Sequence, residues 1–241
     1  MTTVGAYTAE LAGLVARAEA LFAARRPRSL AVCTDCCMAP EREAEILATP
    51  QNEITAEQIE DWLSAAFDPV QGAPAVAWLT PAILRHLAAA DDADRLDFSE
   101  ELALARHAPL SAWPEDQAAL LGDFARALLD ARLDQPHPRF DTLACMVSRA
   151  GLPMKLLTDH LAEVTPLRLA RAILADLADP DSSRPSGHWT EPEDARAFRA
   201  ALAPRPLAER LAHLAETADV READAMLEAA DALFDYASGA K

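Results

Sequence analysis

The sequence predicts an all-α protein built of antiparallel helical hairpins. Three observations carry this. Of 241 residues, 55 are Ala and 33 are Leu, against 8 Val and 5 Ile. So few β-branched side chains do not build a substantial sheet. Apolar residues recur at three- and four-residue spacing along the chain, which is the helical period and excludes extensive disorder. Pro and Gly mark short turns, and short turns make consecutive helices antiparallel neighbours. The expected architecture is an irregular α-solenoid resembling the HEAT class, with about 11–12 helices.

The first helix carries Leu11, Leu14, Val15, Ala18, Leu21 and Phe22 on one stripe, with Thr8 placed to cap it. Arg25-Arg26-Pro27 ends it, with cations at the negative pole of the dipole followed by a breaker. Residues 28–39 then form a loop that holds Cys33-Thr34-Asp35-Cys36-Cys37. Pro40 suits the first turn of a short acidic helix running to Ala48. Thr55-Ala56-Glu57-Gln58 has the form of a capping box, opening a helix through Ile59, Trp62, Leu63 and Phe67. Thr80-Pro81 is expected to open the next, through Ile83, Leu84 and Leu87 to Ala90, and Ser99 another that ends near His107.

Trp113-Pro114 starts a long helix through Leu120, Phe124 and Leu128 to Leu133. Asp141 is expected to cap a helix through Leu143, Met146 and Val147, which Gly151 stops in the left-handed conformation. Pro153 begins a helix through Leu156, Leu157 and Leu161, and Thr165-Pro166 one through Leu169, Ile173, Leu174 and Leu177. Residues 179–189 are the most loop-like of the chain. They are the candidate joint between a main domain at 1–178 and C-terminal helices at 190–241 packed on the same domain. Helices from Thr190, from Pro206 and over Val220–Tyr236 complete the chain. His-Leu-Ala recurs at 86–88, 160–162 and 213–215, and the last two copies hint at a repeat of about 53 residues.

Formal charge is −17. A negative field of that size repels phosphates and anionic membranes, so neither nucleic acid nor membrane is an expected partner, and a basic protein is. The first residues lack the cationic start and apolar run of a signal peptide. The expectation is a cytoplasmic protein whose four cysteines are reduced thiols or metal ligands. Lys occurs twice and Arg 20 times, which with the abundance of Ala suggests a GC-rich bacterial genome.

Cys33-x-x-Cys36-Cys37 is the one cysteine cluster of the sequence. A C-x-x-C turn can bring two thiolates to one metal ion, zinc being the first candidate, or two thiols into redox exchange. Structural zinc takes four ligands, so Cys145, a histidine or a carboxylate would have to complete the set. Adjacent Cys36 and Cys37 are expected to point in different directions, and Asp35 to raise the thiol pKa values. His160 with Glu163, and His213 with Glu216, lie one helical turn apart and are read as solvated helix faces. The tryptophans at 62, 78, 113 and 189 are read as packing anchors. No Gly-rich phosphate loop, nucleophile elbow, zinc-protease motif or calcium loop occurs.

The segment from Phe22 through Cys33-Thr-Asp-Cys36-Cys37-Met-Ala-Pro40 to Glu45 resembles the start of a group of uncharacterised bacterial helical proteins. In that group an Arg/Pro-rich stretch leads to C-x-x-C, often C-x-x-C-C, and then an acidic helix. The stretch from Phe98 to Leu133 is similar to the middle of the same group. The resemblance implies a helical fold and singles out Cys33, Cys36 and Cys37; it implies no activity. The expected function is that of a non-enzymatic interaction or adaptor protein with an acidic surface. The alternative is a metal-binding or thiol-redox protein that uses Cys33, Cys36 and Cys37.

Overall fold

The structure is a computed structural model that describes residues 4–23, 26–65, 73–89, 113–178, 189 and 191–238. The protein is all-helical. The described residues form eleven α-helices and one 3-10 turn, Gln51–Glu53. The helices are α1 (Val4–Leu21), α2 (Pro40–Ala48), α3 (Ala56–Ser64), α4 (Ala73–Ala89), α5 (Glu115–Leu133) and α6 (Phe140–Arg149). They continue with α7 (Lys155–Glu163), α8 (Pro166–Ala178), α9 (Pro192–Ala201), α10 (Pro204–Ala215) and α11 (Val220–Ala237). Among the described residues no helix is long and apolar enough to cross a membrane. The expected helix from Ser99 to His107, Phe67 of the third helix and nearly all of the loop at 179–189 lie outside the described residues.

The chain divides into two compact units. The first comprises Met1–Leu128 with Met146–Pro153, and the second comprises Leu129–Cys145 with Met154–Lys241. Both flanks of the expected joint at 179–189 therefore belong to the second unit.

In the first unit α1 packs on α4, and α3 also packs on α4. Leu11, Val15, Ala18 and Phe22 are the buried stripe of α1, at the spacing the sequence shows. The helix begins at Val4, before the expected cap at Thr8, and no proline interrupts it. Thr55 caps α3 as expected: its hydroxyl accepts from the Gln58 amide, and the Gln58 side chain accepts from the Thr55 amide.

Thr80-Pro81 does not open a helix. It lies inside α4, which starts at Ala73. Pro81 removes the amide that would have bonded the carbonyl four residues back, a cost of about 3 kcal/mol in a helix interior. Burial outweighs that cost. Val76, Trp78, Leu79, Ile83, Leu84 and Leu87 are all buried, and apolar burial is worth about 1.5–3 kcal/mol per large side chain. Local hydrogen bonds help, since the Thr80 hydroxyl donates to the Val76 carbonyl at 2.8 Å and Gln51 Nε2 donates to the Trp78 carbonyl. The α6 stop is the expected one. Gly151 has φ +80°, its amide donates to the Ser148 carbonyl and the Leu152 amide donates to the Val147 carbonyl, a Schellman pair.

In the second unit α10 packs on α11, both pack on α8, and α7 packs on α9. Phe198, Leu211 and Leu233 are fully buried there. Asp141 is not the cap of α6, which starts one residue earlier. The Phe140 amide donates to Asp176 Oδ1, while the Asp141 carboxylate accepts from Trp189 Nε1 at 2.9 Å and Arg199 Nε at 2.9 Å. The expected start at Thr190 is replaced by Pro192, and the expected start at Pro206 by Pro204. Arg132 is 3% exposed; burial, reinforced by the charge of Arg139, pushes its pKa down to about 10.

Three substitutions test this account by denaturant unfolding. Thr55→Ala is expected to cost about 1 kcal/mol, and Gly151→Ala about 1–2 kcal/mol from the left-handed backbone. Phe198→Ala is expected to cost about 3–5 kcal/mol.

Candidate metal and thiol site

The cysteine loop is held at its two ends by buried apolar residues, Leu30 at 0% and Met38 at 5% exposure. Glu43 of α2 binds the entry. Its Oε1 accepts from the Ser29 hydroxyl and the Leu30 amide, both at 2.7 Å. Trp62 of α3 donates its indole N–H to the Leu30 carbonyl at 3.2 Å. Ala31 then adopts φ +59°, a left-handed conformation that turns the chain sharply at a modest steric cost. The Ala31 amide donates to Ser29 Oγ at 3.0 Å. The Met38 amide donates to the Cys33 carbonyl at 3.1 Å and closes the turn that contains Cys36 and Cys37.

This turn brings all three sulfurs together. Cys33 Sγ lies 3.4 Å from Cys36 Sγ, which lies 3.3 Å from Cys37 Sγ. The three ligand atoms are within 4.8 Å of one another. The expectation that Cys36 and Cys37 diverge is therefore overturned. The tight turn offsets the usual alternation of neighbouring side chains. Cys36 and Cys37 are exposed and Cys33 is half-buried.

The three thiols are not equivalent. Cys33 has a pKa below the ordinary thiol value, because the Cys36 thiol and then the backbone amides of Asp35 and Cys36 donate to its sulfur. Asp35 thus acts on Cys33 through its amide and not, as expected, by raising its pKa through the carboxylate. Cys36 is pushed up to about 12, first by donating its proton to Cys37 and to Cys33, then by the negative charge those sulfurs can carry.

Two sulfurs at about 2.3 Å from one tetrahedral ion lie about 3.8 Å apart. The observed separations are within half an ångström of that, so side-chain rotation suffices to admit an ion. Among the described residues this is the one cluster of three or more Cys, His, Asp or Glu ligand atoms so close together. Cys145, considered as a further ligand, is buried in α6.

The histidine pairs differ from each other. His213 is exposed beside Glu216, as expected for a solvated face. His160 is not on a solvated face, with 19% of its side chain exposed and Nε2 2.6 Å from Asp130 Oδ2. Arg168 donates to the other oxygen of Asp130 at 3.0 Å and to both oxygens of Asp134. The sequence gives no local sign of this network, because its bonded partners lie 30 or more positions apart in the chain. A cavity of about 240 Å³ in the second unit, lined among others by Phe140, Asp141, Ile173, Phe198, Arg199 and Tyr236, was likewise invisible to sequence reading. Trp62 and Trp78 are buried anchors. Trp189 is half-buried, with the Arg199 guanidinium 5.9 Å from its ring centroid.

No protein-family model, curated protein or solved structure matches the chain.

Glu43→Ala removes the acceptor for two donors at the loop entry. It is expected to lower stability by about 1–3 kcal/mol and to speed alkylation of the loop cysteines. Unchanged alkylation rates would show that Glu43 does not hold the turn.

Proposed function

We propose that the protein binds a thiophilic metal ion through Cys33, Cys36 and Cys37. The observation that supports this best is the convergence of three sulfurs within 4.8 Å on one turn. Thiolates favour soft or borderline ions such as zinc or cuprous copper over magnesium or calcium. The protein's own groups already favour ionisation of one of them, since backbone amides donate to Cys33. N–H···S bonds of this kind disperse thiolate charge and fix the ligand's direction. Cys36 retains its proton near neutrality in the free protein, so an ion must displace it. Metal uptake therefore releases protons, and affinity rises with pH. The proposed setting is the reducing cytoplasm, which keeps such thiols available.

Reduced protein loaded with Zn²⁺ is expected to retain about one equivalent after desalting, with affinity increasing between about pH 6 and pH 8. Replacing Cys33, Cys36 and Cys37 together by Ser should abolish retention while circular dichroism stays helical. Less than about a tenth of an equivalent of zinc or cuprous ion on the reduced wild-type protein would remove the reading.

A second reading, an adaptor that captures a basic protein, is favoured by the net charge of −17. A negative field speeds encounter with a cationic partner and is screened by salt. The reading predicts binding of a basic protein that weakens steeply with ionic strength; binding indifferent to salt counts against it.

A further inference from the structure

We propose that Cys33 and Cys36 are also a thiol–disulfide couple, and that their oxidation by a hydroperoxide dismantles the metal site. The metal-release half of this rests on the metal reading above; the disulfide half does not.

Two observations carry it. The two sulfurs are 3.4 Å apart on one turn, and rotation of the side chains brings them to the disulfide length of about 2.05 Å. Cys36 is exposed and Cys33 half-buried, so small oxidants reach the pair. Cys37, although 3.3 Å from Cys36, is a poor bonding partner for it. A disulfide between adjacent residues closes a small ring through the peptide bond and forces that bond away from its planar trans form.

The chemistry balances as follows. One of the two sulfurs attacks the peroxide as its thiolate; an S–O bond forms, the O–O bond breaks, and hydroxide leaves and takes a proton to become water. That sulfur is now a sulfenic acid, oxidised by two electrons, and the peroxide is reduced. The other thiol then gives up its proton and its sulfur attacks the first. The S–S bond forms, the S–O bond breaks, and the departing hydroxide takes that proton as a second water. Two of the three metal ligands are consumed, and Cys37 alone does not hold the ion. Reduction runs the other way through an external thiol. It attacks the exposed Cys36 sulfur and expels the Cys33 thiolate.

The test begins with metal-free, reduced protein and stoichiometric hydrogen peroxide, read by intact mass after alkylation. Wild type and Cys37→Ser are expected to lose two alkylatable thiols and gain an internal bond. Cys33→Ser and Cys36→Ser are each expected to form no such bond and to stop at a sulfenic acid that dimedone traps. No internal bond in wild type, or an internal bond undiminished in Cys36→Ser, overturns the assignment. In a second arm, Zn²⁺-loaded protein is treated in the same way, with free zinc followed by a chromogenic chelator. Release in step with disulfide formation supports the coupling, and zinc retained on the oxidised protein overturns it. If the reduced protein holds no metal but still forms the Cys33–Cys36 bond, the metal reading fails and the redox assignment stands.

Discussion

Leu30 ties the cysteine turn to the helical core, and the geometry of the three sulfurs depends on it. Its side chain is fully buried, its amide is held by Glu43 of α2, and its carbonyl is held by Trp62 of α3. Two helices thus grip one residue of a loop that has no hydrophobic core of its own. Ordering a backbone residue costs about 1–2 kcal/mol, and a connector between α1 and α2 left free would spread its cysteines over many arrangements. The grip is reinforced between the helices, where Arg42 of α2 pairs with Asp61 of α3. Ala31 can then hold a left-handed backbone, because Leu30 before it is fixed by packing and hydrogen bonds and its own amide donates to Ser29 Oγ. The turn is preorganised by groups that are themselves locked, and that is the condition for a ligand constellation to be more than a coincidence of sequence.

Electrostatics explains what such a turn does with three sulfurs. Ionising one thiol is helped by its neighbours' protons and by backbone amides. Cys36 is held up near 12 first by donating its proton to Cys37 and Cys33, and then because ionising it meets the charge those sulfurs can carry. The set resists becoming a trianion by itself. A cation at the centre relieves the repulsion, and so does a covalent S–S bond. Both outcomes draw on the same physical fact, the closeness of like groups, and they exclude one another because they use the same lone pairs.

Signals confined to one or two turns of chain were legible in the sequence. The capping box at Thr55, the glycine stop at Gly151, and the start of α8 at Pro166 were read from residues that make the relevant bonds with near neighbours. Thr80-Pro81 was misread for an instructive reason. A proline is favoured in the first helical turn, and nothing local says that buried residues on both sides will carry the helix through it. Asp141 looks like a cap by type, yet its carboxylate is engaged by Trp189 and Arg199, 48 and 58 positions away. The residue types at the candidate site were readable, but their convergence was not. It depends on Glu43 and Trp62, chosen by the tertiary fold, and on a left-handed Ala31 that sequence propensity disfavours.

Two polar clusters among the described residues are built on opposite principles. In the second unit, Asp130 and Asp134 face His160 and Arg168, groups that can carry the complementary charge, and hydrogen bonds satisfy both sides. Such a network closes on itself and orients the helices that carry it; a bound species would have to break bonds already made. On the cysteine turn the groups acting on each sulfur are the other sulfurs and backbone amides, all of them donors or like acids. The amides are satisfied by one thiolate, and the remaining sulfurs share protons that a metal ion or an oxidant can remove. A closed network of opposites favours a structural role, and a cluster of like ligands poised to exchange protons favours chemistry. That contrast is why the proposed chemistry is assigned to Cys33, Cys36 and Cys37, while His160 is read as a packing and pairing element.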